Sequence, residues 1–230
     1  HYAIIKAANF IIQNASKTPT DAASLNQAIG QAKFWRAYAY FTLVRLFGDI
    51  PLTLTNENDD FTMKPSSVEQ EYEQIVADLT SDECEGLPAS YRNAPAFLNG
   101  VNVYVTKQAV EATRAAVYMA MAGWPLEKGT AYYKKAADEA RKVIEGERNG
   151  TYDIRMDENF YDVYAMSNNY NKETILGINY SPNVDWVQDS QLHVISLNHL
   201  VDGEMHGEKS VSGRNFRKVL ARMPLMTHRF

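Results

Sequence analysis

The stretch Phe34-Trp-Arg-Ala-Tyr-Ala-Tyr-Phe-Thr-Leu-Val-Arg-Leu-Phe-Gly-Asp-Ile-Pro-Leu-Thr53 constrains this chain more than any other part. Leu25, Ile29, Ala32, Ala39, Leu43 and Leu46 follow helical spacing, and Phe34, Tyr38, Phe41 and Val44 fill a second, neighbouring stripe. A surface helix needs only one apolar stripe, so this one is expected to pack between several others. Gly48 is placed to supply a left-handed C-terminal cap, and Pro51 forbids continuation. Trp35, inside the helix, reads as core. Arg36 and Arg45 sit among the apolar residues, where a buried guanidinium needs a carboxylate or several carbonyls. Asp49 is the expected partner of Arg45, and both arginines read as structural.

Other helices are expected on either side of this one. Ile4, Ile5, Ala8, Ile11, Ile12 and Ala15 give residues 2–15 an apolar face. Pro19 breaks that helix, and Thr20 or Asp21 can cap the next, which runs to about Phe47. So short a connection makes the first two helices an antiparallel pair. Residues 53–65 read as a polar loop. Ser66-Ser-Val-Glu69 then has the form of a capping box, and Val68, Tyr72, Ile75, Val76 and Leu79 complete an amphipathic helix ending near Thr80.

Residues 81–104, with Gly86, Pro88, Pro95 and Gly100, read as a long excursion of the kind that is either functional or a variable surface insertion. Thr106 to about Ala122 is a helix rich in alanine, which lets helix axes approach closely. Gly123-Trp-Pro-Leu-Glu-Lys-Gly129 forms a turn in which Trp124 reads as a packing residue. Thr130 can cap a further helix with Tyr133, Ala136, Ala137, Ala140, Val143 and Ile144 inward, ended by Asn149-Gly150.

Two such hairpins give the expected fold class: all-α, a tetratricopeptide-like helical-hairpin repeat scaffold with long loops and little β. Glu173 to Tyr180 reads as a short strand, residues 181–215 as loop-rich, and Phe216 to Met223 as one more helix. The expected organisation is a scaffold over residues 1–182 and a loop-rich, incomplete C-terminal part over residues 183–230.

Composition bears on function mostly by exclusion. The 230 residues suffice for a substantial core, and 14 Tyr, 9 Phe and 3 Trp suit packing between helices. A net charge of −5 without a Lys/Arg stripe argues against a nucleic-acid partner. Cys84 is the only cysteine, so the chain can form neither an internal disulfide nor a multi-thiolate zinc site. No apolar run is long enough to span a membrane.

No catalytic constellation stands out, and the expectation is a binding protein without cofactor or bound metal. Gly207-Glu-Lys-Ser210 lacks the adjacent Gly-Lys of a phosphate loop. His199, Asp202, Glu204 and His206 have the donor types for a metal but read as a solvated loop. Asp157, Glu158 and Asp162 read as surface carboxylates rather than an acid–base pair. Sugar recognition needs an exposed aromatic plate ringed by amides or carboxylates. The candidate ligand residues are therefore Tyr180, Asn183, Asp185, Trp186 and Gln188, grouped in one loop.

The run from Phe34 to Leu52 resembles the central motif of the SusD/RagB family. Three further stretches fall in the family's order: Val68 to Leu87-Pro88, Thr106 to Ile154 with its Gly150-Thr-Tyr152 turn, and Glu173 to Ser181. The resemblance covers residues 2–182 and implies an outward-facing surface lipoprotein of the outer membrane. It implies captured glycan, or peptide in some members, delivered to a TonB-dependent, SusC-like transporter. The family's signal peptide, lipidated N-terminal cysteine and C-terminal half are not recognised here, so the chain is expected to be truncated at both ends. Membrane attachment would come only through an N-terminal lipid anchor not present in this chain, and Cys84 is not that anchor. The alternative from a different class is a helical-repeat protein–protein adaptor.

Overall fold

A computed structural model describes residues 1–56, 62–90, 104–163, 168 and 171–177. The helices are α1 (Tyr2–Asn14), extended by a 3-10 turn (Ala15–Lys17), α2 (Ala22–Phe47), α3 (Val68–Leu79), α4 (Asp82–Glu85), α5 (Lys107–Ala122), α6 (Thr130–Arg148) and α7 (Phe160–Val163). The fold is all-α, as the sequence predicts. Among the described residues there is no strand, only a single antiparallel bridge between Ile50 and Ser66. The strand expected from Glu173 is absent over residues 173–177, which form turn and bend. Phe216 to Met223 lies outside the described residues.

Helix α2 is the spine. It packs against α1, α3, α4 and α5, which is why two apolar stripes are needed. Phe34, Ala37, Ala39, Tyr40, Leu43 and Val44 are buried along it, and Trp35 is partly buried, edge-on to Phe34 and Tyr38. Each fully buried large side chain contributes about 1.5–3 kcal/mol of transfer free energy. Leu46, expected in the apolar stripe, is exposed together with Phe47.

The exit from α2 is built residue by residue. Gly48 takes φ 72° and ψ −130°, and its N–H donates to the Val44 carbonyl at 3.0 Å. This is not the left-handed helical cap but a region still more restricted to glycine. Asp49 does not pair with Arg45. Its Oδ1 accepts the Val68 N–H at 2.9 Å at the start of α3, while Arg45 lies over the Phe41 ring at 5.1 Å. The Ile50 carbonyl accepts from Ser66 N–H at 2.8 Å, and the Pro51 carbonyl accepts from the Tyr2 hydroxyl at 3.0 Å. That use of Ser66 moves the capping box one residue on: Ser67 and Gln70 form it, not Ser66 and Glu69.

The second hairpin, α5–α6, is closely paired. Gly129 (φ 66°), rather than Thr130, occupies the cap position of α6. The inward face of α6 is also rotated from expectation. Ala136, Val143 and Gly146 are buried and Tyr132 packs on the core, whereas Tyr133, Ala137 and Ile144 are exposed. Gly146 is required: a Cβ there would stand 2.2 Å from the Tyr152 ring. On α1 and the 3-10 turn that extends it, Ile5, Ala8 and Ala15 are buried and Ile4 and Ile11 exposed.

Candidate ligand surface and the groups that hold it

Two buried arginines organise the scaffold. Arg36 on α2 donates from Nε and Nη2 to the Asp78 carboxylate of α3 at 2.8 and 2.7 Å, and from Nη1 to Asn9 of α1 at 2.9 Å. Asn9 in turn donates to the Thr53 carbonyl at 3.0 Å. Arg36 is thus structural, as the sequence predicts.

Arg114 on α5, to which the sequence reading gave no role, donates to Glu85 of α4, to Glu139 of α6 at 2.6 Å, and to the Leu79 carbonyl at 3.2 Å. Burial acts to depress the Arg114 pKa, but its carboxylate partners outweigh this and raise it. Beside it, the Tyr152 hydroxyl donates to Glu111 at 2.8 Å. Burial, then that bond, pushes the Tyr152 phenol well up. The Gly-Thr-Tyr turn therefore latches the end of α6 back onto α5.

Cys84 is a packing residue. Its thiol donates to the Gly30 carbonyl at 3.4 Å, and burial pushes its pKa to about 11. Gly30 itself has no room for a side chain, since a Cβ would lie 2.5 Å from the Glu83 carbonyl oxygen.

Exposed aromatic side chains include those at two places off the faces of the long helices. Trp124, expected to pack, is 85% exposed. Its turn is held by backbone bonds from Glu127 N–H to Gly123 (2.7 Å), Lys128 N–H to Met121 (3.0 Å) and Gly129 N–H to Ala122 (3.0 Å). An ion pair from Lys128 to Glu69 ties that turn to the first turn of α3.

The other place is α7, where Phe160 and Tyr161 are exposed and edge-on to each other. Here Asn168 donates to Asp157 at 2.9 Å and to the Asp162 carbonyl at 3.0 Å, and Asn171 donates to Val163 at 3.1 Å. Glu173 accepts the Asp157 N–H at 2.9 Å. Asp157 thus braces its loop, which fits a structural use of this carboxylate. Exposed rings beside amides and carboxylates are the chemistry expected of a sugar-binding surface.

The candidate ligand residues Tyr180, Asn183, Asp185, Trp186 and Gln188 lie outside the described residues, as do the His199–His206 loop and Gly207–Ser210. Among the described residues no three His, Cys, Asp or Glu side chains gather as a metal site. None of the described helices is long and apolar enough to cross a membrane.

A helical-hairpin scaffold with an α2 spine, a Gly-Asp-Ile-Pro exit and a Gly-x-Tyr latch defines a repeat-type helical scaffold. Comparison with known proteins assigns it. A SusD-like family model described as "Starch-binding associating with outer membrane" matches residues 1–119. SusD-like protein P2 of Formosa agariphila is 31% identical over 202 residues, covering 85% of this chain and 36% of that protein.

A SusD superfamily structure from Parabacteroides distasonis superposes with a TM-score of 0.68 at 29% identity, covering 80% of this chain and 37% of that one. A structure determined with a xylogluco-oligosaccharide shares the fold, with a TM-score of 0.66 at 24% identity, covering 81% and 35%. The chain belongs to the SusD/RagB family. It spans about a third of the length of the relatives it matches.

Proposed function

We propose that this chain is the helical scaffold of a non-catalytic protein that captures oligosaccharide at the cell surface. On this reading the protein faces outward on the outer membrane and hands its ligand to a TonB-dependent, SusC-like transporter. The observation that carries the reading is membership of a family described as starch-binding and associated with the outer membrane. The relative crystallised with a xylogluco-oligosaccharide has the same fold. Residues 1–182 act as the scaffold and 183–230 as the start of a loop-rich part, with Tyr180, Asn183, Asp185, Trp186 and Gln188 as the ligand contacts. The exposed Phe160–Tyr161 pair supplies compatible chemistry in the segment that precedes this loop in sequence.

Calorimetry or affinity electrophoresis of the full-length protein against a glycan panel tests this. Trp186→Ala is expected to weaken binding by about 3- to 10-fold, the worth of one aromatic stacking contact, and bound oligosaccharide is expected to be recovered uncleaved. Uniform non-binding would remove the glycan claim, peptide binding would move the protein to another branch of the family, and released shorter products would make it an enzyme.

A second reading, a helical-repeat adaptor for another protein, is favoured by one observation. Ile4, Phe10 and Ile11 are exposed on α1, and a shallow groove of about 180 Å³ runs between Phe10, Ala15, Leu25 and Ala28. Capture of a protein partner that alanine substitutions at Phe10 and Ile11 abolish, by a full-length protein that binds no glycan, would support it.

A further inference from the structure

Glu71 in the first turns of α3 is fully buried, at 0% exposure, and neither carboxylate oxygen meets a hydrogen-bond donor among the described residues. The titratable groups that interact with it electrostatically are Tyr2 of α1, Tyr40 of α2 and Asp49 of the α2 exit. None relieves a charge there. The Tyr2 proton goes to the Pro51 carbonyl at 3.0 Å, and the Tyr40 hydroxyl donates to the Thr53 carbonyl and accepts its N–H, both at 2.8 Å. Asp49 is itself an anion and is spent on the Val68 N–H. Arg36, the cation on α2 that acts on Tyr40, is committed to Asp78 and Asn9.

A carboxylate stripped of water and of donors is strongly disfavoured, whereas the neutral acid carries no such penalty. The N-terminal dipole of α3 favours an anion at this position, but only modestly.

We propose that Glu71 is a built-in proton switch: its neutral form lets the start of α3 seat against α1 and the α2 exit, and its ionisation loosens that junction. The junction consists of the Asp49–Val68 cap, the Ile50–Ser66 bridge and the Tyr2–Pro51 bond. Through Glu69 and Lys128 it also holds the α5–α6 turn that displays Trp124. Burial first, then the Asp49 charge, pushes the Glu71 carboxyl from 4.5 to about 7.

A carboxyl whose folded value is raised stabilises the fold fully below its unfolded value. That contribution is lost as pH climbs from 4.5 through about 7. Between pH 5 and pH 8 this single group raises the unfolding constant by roughly 70-fold. The device is independent of what the protein binds.

Denaturant unfolding of the full chain at pH 5 and pH 8, with wild type and Glu71→Gln, is the test. The expected result is a wild-type loss of stability at pH 8 that the variant does not share, with lower hydrogen-exchange protection, relative to the intrinsic rate at each pH, at residues 68–72 in the wild type alone. A ¹³C-carboxyl titration of the wild type, which needs no variant to fold, should place the Glu71 midpoint near 7. A midpoint at the ordinary carboxylate value, or identical pH profiles for the two proteins, overturns the proposal.

Discussion

Arg36 and Arg114 are both buried guanidiniums, yet they hold the scaffold in different ways. Arg36 closes on one carboxylate and one amide, each itself buried, and joins α1, α2 and α3 at the centre of the bundle. Arg114 divides its donors among Glu85, Glu139 and a carbonyl, leaves Nε without a partner among the described residues, and reaches solvent through Glu85, which is 40% exposed. Lys107 stands 4.0 Å from Glu85, and Lys142 bonds Glu139 at 2.9 Å. A closed pair left without a partner strands a charge, whereas an open network can recruit water and other cations. Central ties are therefore brittle and peripheral ties redundant.

The largest effect expected from breaking this contrast is Asp78→Ala, which strands Arg36 and should cost about 3–5 kcal/mol in denaturant unfolding. Replacing both partners together, Arg36→Met with Asp78→Leu, should recover most of that loss. Gly146→Ala comes next. Its Cβ would force Tyr152 away and break the bond to Glu111, at a cost of about 1–3 kcal/mol with a matching drop in Tm.

Within the Arg114 network, Glu139→Gln should destabilise by more than Glu85→Gln, because Glu139 is only 13% exposed. The same unfolding measurement ranks the two. The pH profile separates the regions further. Burial works against the Glu85 carboxylate, but the Arg114 bond and charge hold its pKa below the ordinary value. Its contribution is therefore present above pH 4.5 and lost as pH falls through the lowered folded value. Glu71 runs the opposite way. The smallest effect is expected at Trp124→Ala, which should leave Tm unchanged because the indole is exposed.

Much of this architecture can be read without coordinates because it is local. Apolar spacing marks α1, α2, α3, α5 and α6, Asp21, one of the two expected cap candidates, caps α2 with its carboxylate on the Ser24 N–H at 2.9 Å, and Gly48 with Pro51 marks the exit. The errors are those that local pattern cannot avoid. The capping box slipped by one residue because Ser66 was claimed by Ile50, on the far side of a loop. The inward face of α6 turned to bury Gly146 because Tyr152 folds back over it. Helix α4 was missed because four residues give no period, and its Cys84 is buried by contacts distant in sequence, among them Gly30 of α2.

The candidate site was less legible than the fold. Tyr180 to Gln188 was selected by chemistry alone, while the exposure of Trp124, Phe160 and Tyr161 depends on what leaves them uncovered, which spacing does not encode. Taken alone, the sequence determined the five long helices, where the spine ends and which family the chain resembles, because hydrogen-bonded turns, caps and motifs are contiguous. Only the tertiary structure decided which charges are paired. Asp78 reaches Arg36 across 42 residues, and Glu139 reaches Arg114 across 25. It likewise left Glu71 without a donor among the described residues, since burial is set by neighbours far away in the chain.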